Sequence, residues 1–243
     1  MRTLRRRSSM PDVRIPKPGR MRILAIETSG PIGSAALLDG EDVVRESHSP
    51  APMRHLEWLM PAITAILDDA GWRLEEVEGL AVSRGPGSFT GLRIGMATAA
   101  AWARTRGTPV AGISTLDAIA AGLTAAPGAV CVIQDVRRGE FAGAVFARRD
   151  SEVTRLTEDL VGDLGVVVAV VPAEGPVLFA GDALEHVWAE VRDRLGPRAL
   201  AAPKQEWSPR ARAVGRLGYR RLAAGSSDDP YLLLPIYSRS PVR

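Results

Sequence analysis

A short apolar run, Gly79-Leu80-Ala81-Val82, leads into Ser83-Arg84-Gly85-Pro86-Gly87-Ser88-Phe89-Thr90-Gly91-Leu92-Arg93-Ile94-Gly95, and a segment of small residues follows. A strand, a glycine-rich loop and a helix in direct succession leave the backbone few choices. Glycine permits positive φ and close backbone approach. Ser88 or Thr90 is placed to cap the helix, whose free N–H groups then face the loop. The partial positive charge of a helix N-terminus suits an anion there. The same geometry suits a partner surface packed closely on the backbone, and both readings stand at this point.

The rest of the chain repeats this alternation. Residues 21–27 read as a buried strand and 28–33 as a turn. Residues 34–38 and 41–47 read as a hairpin across Asp39-Gly40. Residues 53–70 carry Leu56, Leu59, Met60, Ile63, Ile66 and Leu67 at helical spacing and end at Gly71, which predicts an amphipathic helix. A strand over 79–83, a helix over 90–106, a strand over 109–114 and a helix from 116 to 123 complete a first half. In the second half, 129–135 and 141–148 read as strands, 153–156 as a short strand and 159–164 as a helical turn. Residues 166–171 and 176–180 are apolar runs of strand length, and 183–195 and 209–224 read as helices. The order strand, strand, strand, helix, strand, helix thus occurs twice without a residue-level repeat. The expected organisation is an extension over 1–20, one lobe over 21–122 and a second over 123–243, with the last helix packing back on the first lobe.

A chain of 243 residues has ample core for one large or two small domains. Its 46% hydrophobic and 24% charged content is that of a soluble globular protein. The single cysteine, Cys131, excludes an internal disulfide and implies a reducing compartment. The longest apolar stretch, residues 166–172, falls far short of the roughly 20 residues that span a membrane. The net charge of +3 is unevenly spread. Residues 1–20 hold Arg2, Arg5, Arg6, Arg7, Arg14, Lys17 and Arg20 against Asp12, leaving 24 basic and 27 acidic residues in the body. This polar, proline-containing extension has no expected fold, and no apolar stretch follows its arginines as a secretory signal requires. It reads as a dispensable extension with Met21 as an alternative start, or as a nucleic-acid-binding arm.

Together with Ile23-Leu24-Ala25-Ile26-Glu27-Thr28-Ser29, the loop resembles the bacterial TsaB (YeaZ) family of tRNA threonylcarbamoyladenosine biosynthesis proteins. The resemblance runs from about residue 21 to Pro235-Ile236-Tyr237-Ser238-Arg239, and the long Arg84–Gly95 string is its most specific part. Val110-Ala111-Gly112-Ile113-Ser114-Thr115-Leu116 and Asp135-Val136-Arg137-Arg138-Gly139-Glu140 are further matches. It implies an actin/Hsp70-like (ASKHA) α/β fold of duplicated βββαβα halves with a cleft between them. It also implies a cytoplasmic, non-catalytic partner of the TsaD enzyme, which transfers a threonylcarbamoyl group to the adenosine beside the anticodon. A TsaE-like ATPase as second partner, a homodimer when alone, and tRNA contacted only within the complex follow from the same resemblance. No cofactor is expected.

The turn Glu27-Thr28-Ser29 occupies the place where nucleotide-binding relatives of this fold hold a phosphate loop, and Asp135 begins the corresponding turn of the second half. The family usually has Asp where this chain has Glu27, and no lysine stands in the turn to neutralise phosphate. A structural turn and a vestigial nucleotide site therefore both remain as readings of Glu27, Thr28, Ser29 and Asp135. Catalytic TsaD relatives carry a His-x-x-x-His pair just after the strand equivalent to 109–113. Here Thr115 and Ile119 hold those positions, and His48, His55 and His186 include no pair at i, i+4 spacing. This argues against a zinc or iron centre and against a metallopeptidase. Cys131 has no histidine beside it, and Ser88 follows glycine directly, the wrong spacing for a nucleophile elbow. No catalytic residue is assigned.

Gly91, Gly95, Ala99 and Ala103 recur every four residues, placing small side chains along one helix stripe. The stripe can pack on the chain's own sheet or on a partner helix. The resemblance implies that the two helices over 53–70 and 90–106 mediate both homodimerisation and pairing with TsaD, which makes the two assemblies mutually exclusive. The expected interface is Arg84, Phe89, Leu92, Arg93, Gly95, Met96 and Ala99 with His55, Leu56, Leu59 and Ile63, the arginines at its rim. Trp58, Trp72, Trp102, Trp188 and Trp207 read as core or interface residues, and Tyr237 as the anchor of a C-terminal segment over 231–239. The rival reading is an ATP-dependent enzyme of the same fold acting on a small molecule or carbamoyl adenylate through Glu27 and Asp135.

Overall fold

The computed structural model describes residues 20–124, 128–149 and 152–236. The 1–19 part of the extension and Tyr237 lie outside them. In chain order the first half is β1 (Arg22–Glu27), β2 (Ser34–Asp39), β3 (Asp42–His48), α1 (His55–Ala70), β4 (Gly79–Ser83), α2 (Phe89–Arg106), β5 (Val110–Ile113) and α3 (Thr115–Gly122). The second is β6 (Gly128–Asp135), β7 (Phe141–Arg149), β8 (Glu152–Arg155), β9 (Leu160–Gly162), α4 (Leu164–Ala169), β10 (Val177–Ala180), α5 (Leu184–Leu195), β11 (Ala199–Ala201) and α6 (Ala211–Ala223).

Each half forms one mixed sheet. The first runs β3-β2-β1-β4-β5, with β1, β4 and β5 parallel and the β1-β2-β3 meander antiparallel. The second runs β11-β10-β6-β7-β8 with the same directions, so β6 stands where β1 does and β10 where β4 does. This repeated order is the duplicated actin-like α/β fold. Strands β4, β5 and β10 are buried along their length and β1 in all but Arg22, because helices cover both faces of each sheet.

Four apolar clusters fill the spaces between layers. Helices α1 and α2 close one face of the first sheet around Leu24, Ile26, Leu80 and Val82. Helix α6 closes its other face through Ala213, Val214 and Leu222 against Ile23, Ala25 and Leu38. Helix α3 lies on the second sheet, where Leu116, Ile119 and Leu123 meet Val130, Val132 and Phe146. Helices α4 and α5 cover that sheet's far face around Ile133, Val145 and Phe179. The final helix of each half therefore completes the core of the other half, and α3 and α6 touch between the sheets. The approach is close: a Cβ on Gly218 of α6 would lie 2.3 Å from Ala81 Cβ of β4.

The structure differs from the sequence expectations in the second half. The helical turn expected over 159–164 contains strand β9, paired with Phe141–Gly143 of β7. The free edge of β7 offers backbone hydrogen bonds that a three-residue propensity cannot match. The apolar run over 166–171, of strand length, forms most of α4 instead. Asp163 caps that helix through the Val166 N–H at 3.1 Å, and Leu164 and Val167 turn inward while Val166 and Val170 stay exposed. A short β-branched run carries no periodicity that separates strand from buried helix. Strand β11 has only three residues and no pattern to announce it. No helix among the described residues is long and apolar enough to cross a membrane.

Candidate functional site

The loop after β4 is held from inside the chain. Ser88 caps α2 by accepting the Gly91 N–H at 3.2 Å, and its own N–H donates to the Ser29 carbonyl at 2.7 Å. Gly85, at φ +105°, lies under the C-terminal segment: a Cβ there would sit 2.6 Å from the Ile236 carbonyl oxygen, while the Ile236 N–H donates to the Arg84 carbonyl. The glycine-dependent contact at Gly85 is thus with the chain itself.

The stripe of small residues is also turned inward. Gly91, Gly95, Ala99 and Ala103 are buried, as are Leu92 and Met96. A Cβ on Gly95 would lie 2.3 Å from the Thr28 hydroxyl. The stripe lets α2 lie on the end of β1, against Thr28 and Ile26. On α1, Leu59 and Ile63 belong to the same core. His55 is 2% exposed, with Nε2 3.0 Å from the Gly30 carbonyl and Nδ1 without a partner. Burial holds its pKa below the ordinary histidine value, against the Gly30 bond. Arg84 lies half-buried against Gly112, toward the C-terminal segment.

Three of the expected interface residues do face solvent. Leu56 is 76% exposed and Phe89 53%, and the exposed Arg93 guanidinium stacks 3.8 Å from the Phe89 ring centroid. Met53 and Met60, which the interface expectation omitted, join them at 59% and 50%. Met53 adopts φ 60°, an uncommon conformation for a residue with a side chain. The signal was in the spacing. Helix α1 carries two apolar rows: Leu59, Ile63, Ile66 and Leu67 point to the core, while Leu56 and Met60 form a second i, i+4 row facing out. Exposed large apolar side chains grouped on adjoining elements mark an interaction surface. Helices α1 and α2 touch, and each carries exposed apolar side chains, Leu56 and Met60 on α1 and Phe89 at the start of α2.

The Glu27 turn is equally closed. Glu27 is fully buried, and its Oε1 accepts both the N–H and the hydroxyl of Ser29 at 2.5 Å, while Oε2 has no partner. Burial raises its pKa above the ordinary carboxylate value, opposed by the hydrogen bonds from Ser29. Thr28, also fully buried, donates its hydroxyl to the Gly91 carbonyl. These groups bind one another, an arrangement that holds a turn in shape. Asp135 occupies the equivalent end of β6. Its carboxylate accepts the Arg137 N–H at 2.6 Å and its own N–H donates to Asp182 at 2.9 Å, capping the β6–β7 turn. Burial raises the Asp182 pKa, and the neighbouring Asp135 charge adds to the rise. Among the described residues no group of three or more His, Cys, Asp or Glu side chains is placed to hold a metal ion.

Residues 49–183 match the family model described as TsaD: tRNA N6-adenosine threonylcarbamoyltransferase. The chain is 30% identical over 224 residues to the tRNA threonylcarbamoyladenosine biosynthesis protein TsaB of Bacillus subtilis, covering 90% of this chain and 94% of that one. It is 36% identical over 135 residues to the Escherichia coli TsaB, 55% of this chain and 58% of the relative. Its fold superposes on YeaZ from Pseudomonas aeruginosa with a TM-score of 0.76 at 25% identity, over 89% of this chain and 99% of that one. A more distant likeness, at 11% identity and a TM-score of 0.50, is to component A of (R)-2-hydroxyglutaryl-CoA dehydratase from Acidaminococcus fermentans and concerns the fold alone. With identity at this level across nearly the whole of a TsaB, and the same fold as YeaZ, the chain belongs to the TsaB (YeaZ) family.

Proposed function

We propose that this protein acts in tRNA threonylcarbamoyladenosine formation as a non-catalytic scaffold that docks a TsaD-type catalytic subunit through the outer faces of α1 and α2. The observation that carries this reading is the exposed apolar group of Leu56, Met60 and Phe89, rimmed by Arg93, on a helix pair whose other side is fully occupied by core. Burying such a patch offsets the cost of association, and a partner that binds one conformation better than another shifts the population toward it. The same face serves a homodimer when the catalytic subunit is absent, which makes the two assemblies compete. A TsaE-type ATPase joins the complex in the cytoplasm.

The non-catalytic part of the reading is supported by the placement of Thr115 and Ile119. Both are buried in α3, and Ile119 packs against the second sheet. The self-contained Glu27 turn supports it further, because its carboxyl and the Ser29 donors are already engaged with each other. The test is association of the purified chain with a TsaD-type subunit by titration calorimetry. Wild type binds, and the Leu56→Asp variant, at a site with no core role, loses at least tenfold in affinity. Equal affinity for both would refute the docking face.

A further inference from the structure

We infer that self-association of this chain is set by two charge pairs, in which Glu57 and Asp68 on α1 of one copy meet Arg93 and Arg104 on α2 of the other. The inference rests on the reading that the outer sides of α1 and α2 serve a homodimer, and it names the residues that fix which helix meets which.

Arg93 and Arg104 are eleven residues apart on α2, three turns or about 16 Å, so they project from the same side of the helix. Both are exposed, and each is held by an aromatic ring. The Arg93 guanidinium lies 3.8 Å from the Phe89 ring centroid. That of Arg104 lies 4.6 Å from the Tyr231 centroid, while its Nε and Nη2 donate to the Pro230 carbonyl at 3.1 and 2.7 Å. Arg106 pairs with Glu75 at 3.5 Å, but among the described residues neither Arg93 nor Arg104 has an acidic partner. A guanidinium fixed before the partner arrives loses less side-chain freedom on binding, and arginine and tyrosine are enriched among the residues that carry interface energy. Exposed Leu232 and Leu234 continue the surface beyond Tyr231.

The matching acids stand on α1. Glu57 and Asp68 are also eleven residues apart and exposed, on the side of that helix opposite Leu59, Ile63 and Ile66. Asp68 has no basic partner among the described residues. Glu57 holds only Arg54, at 2.6 Å, in an exposed i, i+3 pair of little strength.

The two helices are also in step. Strands β3, β4 and β5 run in one direction, so α1, between β3 and β4, and α2, between β4 and β5, run together. The His55 ring lies 3.2 Å from where a Gly91 Cβ would stand, which sets their starts level. From that contact Glu57 and Arg93 are each two residues along their helices, and Asp68 and Arg104 each thirteen. A two-fold operation that lays α1 of one copy along α2 of its partner therefore lets both pairs form, and symmetry forms them twice. A surface without two carboxylates at this spacing leaves the arginines desolvated and unpaired, which gives the contact its selectivity.

The experiment is sedimentation of full chains at about 50 and about 500 mM sodium chloride, since exposed pairs are screened over that range. One chain carries Arg93→Glu with Arg104→Glu, and a second carries Glu57→Arg with Asp68→Arg. Each alone is expected to self-associate at least about tenfold more weakly than wild type, because like charges then face each other. An equimolar mixture of the two restores association to within about threefold of wild type, since both pairs reform with their signs exchanged. Glu57→Gln with Asp68→Asn, two exposed changes outside the core, weakens association by about fivefold or more and removes most of its salt dependence. A mixture no tighter than either variant alone, together with unchanged association of the Gln/Asn chain, would overturn the inference. A wild type that stays monomeric, while Arg93→Glu with Arg104→Glu abolishes docking to a TsaD-type subunit, would also overturn it by giving the arginines to that subunit. Charge-dependent self-association with no docking of a TsaD-type subunit supports the inference and counts against the scaffold reading alone.

Discussion

The Thr28 hydroxyl donates to the Gly91 carbonyl at 2.8 Å, and the Thr28 carbonyl oxygen lies 2.0 Å from where a Gly91 Cβ would stand. This contact fastens the first turn of the chain to the first turn of α2. His55 fastens the same turn to α1 through the Gly30 carbonyl. The two helices that carry the exposed apolar side chains are therefore held to Thr28 and Gly30, just after β1.

Gly91→Ala is expected to destabilise the fold by about 1 to 3 kcal/mol, because the added methyl meets backbone and not a movable side chain. Thr28→Val, which keeps the shape and removes the hydroxyl donor, is expected to cost about 1 kcal/mol. Thermal or urea unfolding measures both. An unchanged midpoint for Gly91→Ala would mean that α2 does not lie this close to the turn.

Glu27 has a pH signature. Burial raises its pKa, so the folded chain keeps this proton at pH values where the unfolded chain has released it. The folded state then binds more protons, and stability from this group is full below the ordinary carboxylate range and declines as pH rises through the folded value. Glu27→Gln removes the titration. The stability of the Gln variant relative to wild type should therefore improve between pH 4 and pH 8 in paired urea titrations. A relative stability that does not change with pH would contradict a raised pKa, and a change in the opposite sense would mean an ionised Glu27 held by its donors.

Much of this arrangement could be read from residue spacing. Buried strands, the Asp39-Gly40 hairpin and the Gly71 stop all follow from local chemistry, and the structure places β1 to β5 and α1 to α3 within a residue or two of their expected bounds. The inward direction of the Gly91–Ala103 stripe was not legible, because small residues at every fourth position fit a sheet and a partner helix equally well. It is decided by the Thr28 turn, which is distant in sequence. The residues over 159–171 failed for a related reason: β9 owes its pairing to β7, and α4 owes its inward face to a sheet that local propensity cannot see. On α1, two interleaved apolar rows were counted as one.

Arg155 joins the halves by a polar route. It bonds Asp117 of α3 at 2.9 Å and Asp159 beyond β8 at 2.5 Å, with its guanidinium 5.2 Å from the Phe146 ring centroid. Burial raises the Asp117 pKa, and the Arg155 charge opposes that rise. Arg155→Met is expected to lower stability by about 1 to 3 kcal/mol by leaving two carboxyls without their donor. The double change with Asp117→Asn should recover part of the loss. A fully additive double-mutant cycle would show that the two side chains are not coupled.

The outward row on α1 is expected to behave oppositely. Leu56→Asp and Met60→Asp should each change the unfolding free energy of the monomer by less than about 0.5 kcal/mol, since neither side chain lies in a core. Sedimentation should nonetheless show loss of self-association. Cooperative unfolding at a much lower midpoint would instead place these residues inside the monomer's packing.

The measurement that tests the central claim most directly is mass-spectrometric quantification of threonylcarbamoyladenosine in total tRNA from cells depleted of this protein and supplied with wild type or Leu56→Asp. The docking account predicts that depletion lowers the modification, that wild type restores it, and that an equally abundant, folded Leu56→Asp chain does not. Full restoration by Leu56→Asp, or an unchanged level on depletion in cells with no second copy, would contradict it.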